Sequence, residues 1–308
     1  AAQPAALAAL APHLAEGAWL GCLGGPGAAF EWEAGRVVGE HAGRFTVAPA
    51  GDVFTEKVVL FGVAASPWLA RVAKFACEVR VVGRQSAALV GVVPAARGAE
   101  VAAWLGAKLG DGGGVRWEAA GHALAVTLAP VHQVIVPGLL YARFKDWGGE
   151  AFDEIPLLYS GTTHEEAAVV EKLGEECNAV AARLEAALGV PLPEARAPLL
   201  EALCRRCFPE AVEDDATLRA ALLSNRAWAH TRTPMRCAPE GGGFVPDLAG
   251  PGGALAEAAA GGLAALKGLA ELAGAETPTL DQVLEWCQAQ VGKEYLVGGG
   301  GGGGAGGP

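Results

Sequence analysis

The chain has 308 residues, long enough for two ordinary domains with real cores. Hydrophobic residues make up 52% of it, which excludes wholesale disorder. The formal charge is −11, with 23 Lys and Arg against 34 Asp and Glu. No basic stripe is present, which excludes nucleic acid as the expected partner because phosphates are neutralised by clustered cations.

The first third alternates in type. Residues 5–14 predict a helix stopped at Gly17, and residues 19–23 are a short apolar run before the turn Gly24-Gly25-Pro26-Gly27. Residues 57–63 read as a buried strand. Residues 67–76 predict a helix with proline in its first turn. Residues 78–82 and 87–93 predict strands, 99–109 a helix, and 123–128 a further strand-like run. These spacings predict βαβ units and a mostly parallel sheet.

Past Pro130 the pattern is helical. Thr163 and Glu166 have the spacing of a capping box, in which each side chain bonds the other's backbone amide. Behind them Val169, Val170, Leu173, Cys177, Val180, Leu184 and Leu188 recur at three- and four-residue steps, one face of a helix that Gly189 ends. Further helices are predicted over 199–207, over 216–223, inside 254–273 and over 280–291, the last with Pro278 before it and Gly292 after it. The glycine run from Gly298 predicts a disordered tail. The expected fold class is therefore α/β then all-α. A Rossmann-like parallel-sheet portion over 1–129 precedes a helical domain over 130–297 and a tail over 298–308.

Few motifs carry chemistry by themselves. Gly25-Pro26-Gly27-Ala28-Ala29-Phe30 lacks the third glycine of a dinucleotide fingerprint and reads as a turn. Cys204-Arg205-Arg206-Cys207 lies inside a predicted helix with no second pair, so it reads as two thiols and no metal is expected. Asp214-Asp215 suits a helix N-terminus. His132 reads as a hydrogen-bonded structural histidine. Arg232, in the polar stretch from His230 to Met235, could hold a carboxylate bidentately or stand solvated.

The seven cysteines are an odd, scattered set, which points to reduced thiols and a cytoplasmic location. The apolar run from Leu124 to Phe144 is broken by Pro130, His132, Gln133 and Pro137, so no membrane span is expected. The first basic residue is Arg36, which leaves no charged signal-peptide region. The chain opens on Ala1 and its single methionine is Met235, so it reads as a piece without its own start.

Several unusual strings go further. Ser66-Pro67-Trp68-Leu69-Ala70-Arg71 resembles the proline-tryptophan-x-x-arginine stretch of opine dehydrogenases. The segment from Gln133 through Pro137, Tyr141 and Asp146 to Trp147 is similar to their domain junction. Leu157-Leu158-Tyr159-Ser160-Gly161, Gly243 to Asp247, Lys267 to Gly274, Thr277-Pro278 and Gly292 to Val297 follow in the family's order. The resemblance implies an N-terminal NAD(P)-binding Rossmann domain and a C-terminal helical domain. It implies an oxidoreductase acting on CH–NH groups, which condenses an amino acid with a 2-oxo acid and reduces the imine with NADH or NADPH. It places Pro67, Trp68 and Arg71 with the cofactor and Tyr141 with the small-molecule substrates, for which Arg232 is the candidate carboxylate grip by its own chemistry.

Two departures accompany it. The family's glycine-rich first βαβ unit is expected upstream of residue 1. The family's catalytic histidine falls on Val136, and its arginine and aspartate fall on Gly253 and Ala258. His132 and Glu257 are the only nearby substitutes. Valine transfers no proton, so the residues imply that the chain does not oxidise NADH with pyruvate plus arginine or alanine. The alternative is a non-catalytic homologue that binds an amino acid or a protein partner.

Overall fold

The computed structural model describes residues 2–23, 29–42, 58–109, 114–129, 131–239, 241–249 and 253–296. The turn expected at 24–27 and the tail over 298–308 lie outside them.

Four strands form the main sheet, in the order β1 (Ala18–Cys22), β2 (Val58–Val63), β5 (Ala87–Val93) and β6 (Arg116–Ala119). Every residue of β2 is buried, as a strand covered on both faces requires. β1 pairs parallel to β2 and β5 parallel to β6. Helix α1 (Ala2–Leu10) precedes β1. Helix α2 (Phe30–Ala42) makes the crossover from β1 to β2, and α3 (Gly98–Leu109) makes the crossover from β5 to β6. The β2–β5 pair is antiparallel, because the segment between them is a hairpin that returns the chain beside β2 rather than a helical crossover.

That hairpin corrects one expectation. Residues 67–76 do not form a helix. β3 (Trp68–Lys74) pairs antiparallel with β4 (Glu78–Arg84), with Arg71 opposite Arg80. Pro67 suits the start of an edge strand as well as a helix's first turn, and the cross-strand partner decided between them. Residues 123–128 are corrected in the other direction, since α4 (Ala123–Thr127) is a short buried helix. Its N-cap His122 accepts a hydrogen bond from the Leu124 amide at 3.1 Å through Nδ1. A short apolar run has no periodicity that separates strand from helix. α2 and β6 had no counterpart in the sequence reading.

The helical portion follows the sequence closely. Helix α5 (His132–Phe144) packs on α6 (His164–Leu188), whose Val170, Leu173, Cys177 and Val180 are buried in one core. Burying each such large apolar side chain is worth about 1.5–3 kcal/mol. Gly138 permits the close approach, because a Cβ there would lie 3.0 Å from the Leu173 and Val170 side chains. The capping box forms as expected, and Gly189 ends α6 at φ +65°. α7 (Leu199–Arg206), α8 (Leu218–Ser224), a ribbon of β7 (Met235–Cys237) and β8 (Phe244–Pro246), α9 (Ala254–Ala258), a π-helical turn (Ala259–Leu263), α10 (Ala264–Ala273) and α11 (Pro278–Val291) complete it. No helix among the described residues is long and apolar enough to cross a membrane.

Candidate functional site

The first turns of α5 pack against α9 and the π-helical turn. α5 carries Val136, α9 carries Glu257 and Ala258, and Gly253 is the N-cap of α9, so the elements that hold these positions meet there. His132 is the first residue of α5. Val136, one turn on, packs against the helical core and offers no titratable atom. Glu257 is exposed, so it adds charge at the rim and not inside.

The polar group buried at this junction is one the sequence did not single out. Gln133 is 6% exposed, and its Nε2 has no hydrogen-bond partner among the described residues. It faces Gly262 of the π-helical turn, where an added Cβ would lie 3.2 Å from the Gln133 Cβ. An amide there can donate a hydrogen bond to a carbonyl or carboxylate oxygen, but it cannot transfer a proton.

Arg232 lies in an extended stretch whose backbone bridges to Leu157. Successive side chains in an extended chain point to opposite sides. Thr231 accepts a hydrogen bond from Arg71 Nη2 at 2.9 Å and Thr233 one from Arg143 Nη1 at 2.8 Å, while Arg232 is exposed. Among the described residues Arg232 has no carboxylate partner, and a solvent-facing guanidinium of that kind can grip an incoming one. Tyr141 is half-buried, edge-on to Trp286 at 5.8 Å, with Lys145 Nζ 5.8 Å from its ring. It shares α5 with Val136 but sits more than a turn beyond it.

Arg143 is a second residue that sequence reasoning missed. Its Nε donates to Glu166 Oε1 at 2.7 Å and its Nη2 to Glu166 Oε2 at 3.0 Å. It also donates to the carbonyls of Leu157 and Leu158. The two side chains are 10% and 6% exposed. This buried pair fixes the Arg232 stretch to α5 and α6. No local spacing signals it, since the partners are 23 positions apart.

Pro67, Trp68 and Arg71 sit in the hairpin. The Pro67 carbonyl accepts from the Gln85 amide at 3.0 Å, and Trp68 packs edge-on to Trp117 at 6.1 Å. Arg71, through Thr231, ties the hairpin to the helical portion.

A dinucleotide's pyrophosphate needs a helix N-terminus with free amides. The two crossover helices do not fit it. At α2 the Ala29 amide donates to Thr127 Oγ1 at 3.1 Å, and that hydroxyl donates to Glu31 Oε1 at 3.3 Å. Burial pushes the Glu31 carboxyl up to about 7, against two hydrogen bonds that lower it. The first turn of α3 carries Glu100, paired with Arg97. Each first turn thus carries a carboxyl side chain, buried at α2 and exposed at α3, which disfavours a second anion there.

A sheet with parallel crossovers joined to a helical portion defines the class as a two-part α/β and helical protein. The model of the NAD/NADP octopine/nopaline dehydrogenase alpha-helical domain matches residues 119–291, and the chain belongs to that family. It is 29% identical over 299 residues to the tauropine dehydrogenase of Arabella iricolor, covering 95% of this chain and 69% of that protein. It is 26% identical over 294 residues to the octopine dehydrogenase of Pecten maximus, covering 94% and 68%. The solved structure of octopine dehydrogenase with NADH and L-arginine has the same fold, with a TM-score of 0.76 at 24% identity over 96% of this chain and 68% of that one.

Proposed function

We propose an opine dehydrogenase-like function for this chain. It is that of an NAD(P)-dependent oxidoreductase acting on CH–NH groups, by reductive condensation of an amino acid with a 2-oxo acid. The single observation that carries the reading is the family match over the helical domain. In this reading residues 1–129 form the nucleotide-side domain and 130–297 the substrate domain, working in the cytoplasm. NAD or NADP is the reductant that the family implies; neither crossover helix end supplies its phosphate site, so the reading rests on family membership there. Pro67, Trp68 and Arg71 stand on the cofactor side. Arg232, Tyr141 and Gln133 stand on the substrate side, where Arg232 takes a carboxylate.

Proton transfer by a positioned side chain is worth about 10²–10⁴ in rate. With Val136 in place, and with His132 or Glu257 as the only substitutes, oxidation of NADH or NADPH by the chain is expected to be slow. With pyruvate and arginine, alanine or taurine it should run at least about 10²-fold below the Arabella iricolor enzyme assayed alongside. A rate equal to that enzyme's would refute the assignment of position 136.

A second reading, a non-catalytic homologue that binds an amino acid or a protein partner, is favoured by Val136 and by the filled α2 N-terminus. Ligand binding with no substrate-dependent oxidation selects it.

A further inference from the structure

Every residue of the β3–β4 hairpin from 70 to 82 is exposed. Its two faces differ. On the inner face a Cβ at Gly83 would lie 2.9 Å from the Ala227 side chain and 3.0 Å from that of Phe208, and Arg71 donates to Thr231. Side chains alternate along a strand, so the outer face carries Ala70 and Val72 of β3 opposite Val81 and Val79 of β4. Val72 and Val79 are 67% and 65% exposed, and Phe75 in the turn is 89% exposed. A contiguous apolar face left in water marks an interaction site, and a two-stranded ribbon is only marginally stable by itself. The hairpin is also the basic part of an acidic chain. From Trp68 to Arg84 it holds Arg71, Lys74, Arg80 and Arg84 against Glu78, a net +3 in a chain of −11, which leaves −14 on the remainder. The complementary charge lies beside its base. Phe208, which packs under Gly83, leads directly into a loop with the exposed carboxylates Glu210, Glu213, Asp214 and Asp215.

We propose that two copies of this chain form a two-fold dimer through their β3–β4 hairpins. The valine faces pack on each other with the hairpins antiparallel, and the Lys74 and Arg80 end of each hairpin meets the 210–215 loop of the other copy. What selects a second copy as the occupant is that one stretch of surface holds both halves of the contact. It has an apolar face that fits its own image, and a basic arm beside an acidic loop. A self-complementary patch of this kind closes after two copies, because a two-fold axis sets each part against its counterpart. Burial of the valines supplies affinity, and the opposite charges fix register and partner. An anionic lipid surface would attract the hairpin but repel the −14 of the remainder.

The test is sedimentation velocity of the full chain from about 1 to 100 µM, at low and at high salt. The wild type is expected to be a dimer at the upper end. Val72→Lys/Val79→Glu puts an opposite-charge cross-strand pair on the outer face, which keeps the hairpin and the net charge but removes the apolar surface. It should be monomeric throughout. Asp214→Asn/Asp215→Asn should weaken the dimer at least about threefold at low salt and leave it unchanged at high salt, where the charges are screened. A wild type that stays monomeric at about 100 µM would overturn the proposal, and pelleting of that monomer with phosphatidylserine vesicles would give the hairpin to a lipid surface instead. A dimer that survives the valine changes, or one that the aspartate changes leave untouched at low salt, would overturn it too. If the valine variant does not fold, alkylation of the exposed Cys77 in the hairpin turn decides. In the wild type it should slow as the concentration rises, and a constant rate across the dimerisation range would place the interface elsewhere.

Discussion

Replacing Arg143 by alanine is expected to destabilise the fold by about 3–5 kcal/mol, the cost of leaving one member of a buried ion pair without its partner. Glu166 is 6% exposed on its side chain and would stay behind. The carbonyls of Leu157 and Leu158 and the Thr233 hydroxyl would lose their donor in the same step. Glu166→Gln is the informative companion. A glutamine keeps the capping box with Thr163 and can still accept from Arg143, so it should cost less than Arg143→Ala. Urea unfolding checks both, with a lower midpoint and an unchanged slope. A loss under about 1 kcal/mol for Arg143→Ala would mean that the pair braces nothing.

Glu31→Gln is expected to stabilise the chain, and only at neutral and alkaline pH. The carboxyl rises from 4.5 to about 7 on folding, chiefly through burial. A carboxyl raised in the folded state carries its proton there more readily than in the unfolded chain. Stability is therefore undiminished below pH 4.5 and falls as the pH climbs from 4.5 to about 7, after which the loss is constant. Each pKa unit is worth about 1.4 kcal/mol, so the amide should gain roughly 3 kcal/mol at pH 8 and under about 1 kcal/mol at pH 5. The glutamine can keep the bond to Thr127 Oγ1, which isolates the charge. Equal differences between the two proteins at both pH values would contradict the burial of an ionisable Glu31.

The parts of this fold that were legible in the sequence are those set by local chemistry. The box of Thr163 and Glu166, the apolar face of α6 and the stop at Gly189 are complete within one segment, so α6 could be read end to end. β3 could not. Its residues suit a helix, and only pairing with β4 makes them a strand. α4 was obscured because five buried residues carry no period, and β6 because four residues surrounded by glycine and charge carry almost no signal. The site divides in the same way. Val136, Gly253 and Ala258 were reached through the family resemblance alone, and the contact of α5 with α9, the elements beside them, is visible only in the fold. The Arg143–Glu166 pair and the buried Gln133 amide, whose Nε2 has no partner among the described residues, are products of long-range packing, and no spacing announces them.

The most direct test of the functional reading is a calorimetric titration of the full chain, with and without NADH, using an amino acid, pyruvate and their reduced condensation product. The account predicts saturable heat with these ligands, and at least about tenfold weaker binding in Arg232→Ala, because a charge-assisted carboxylate contact is worth about 1.5–3 kcal/mol. The absence of heat with every one of them, in the presence or absence of NADH, would contradict an opine dehydrogenase-like function for this chain.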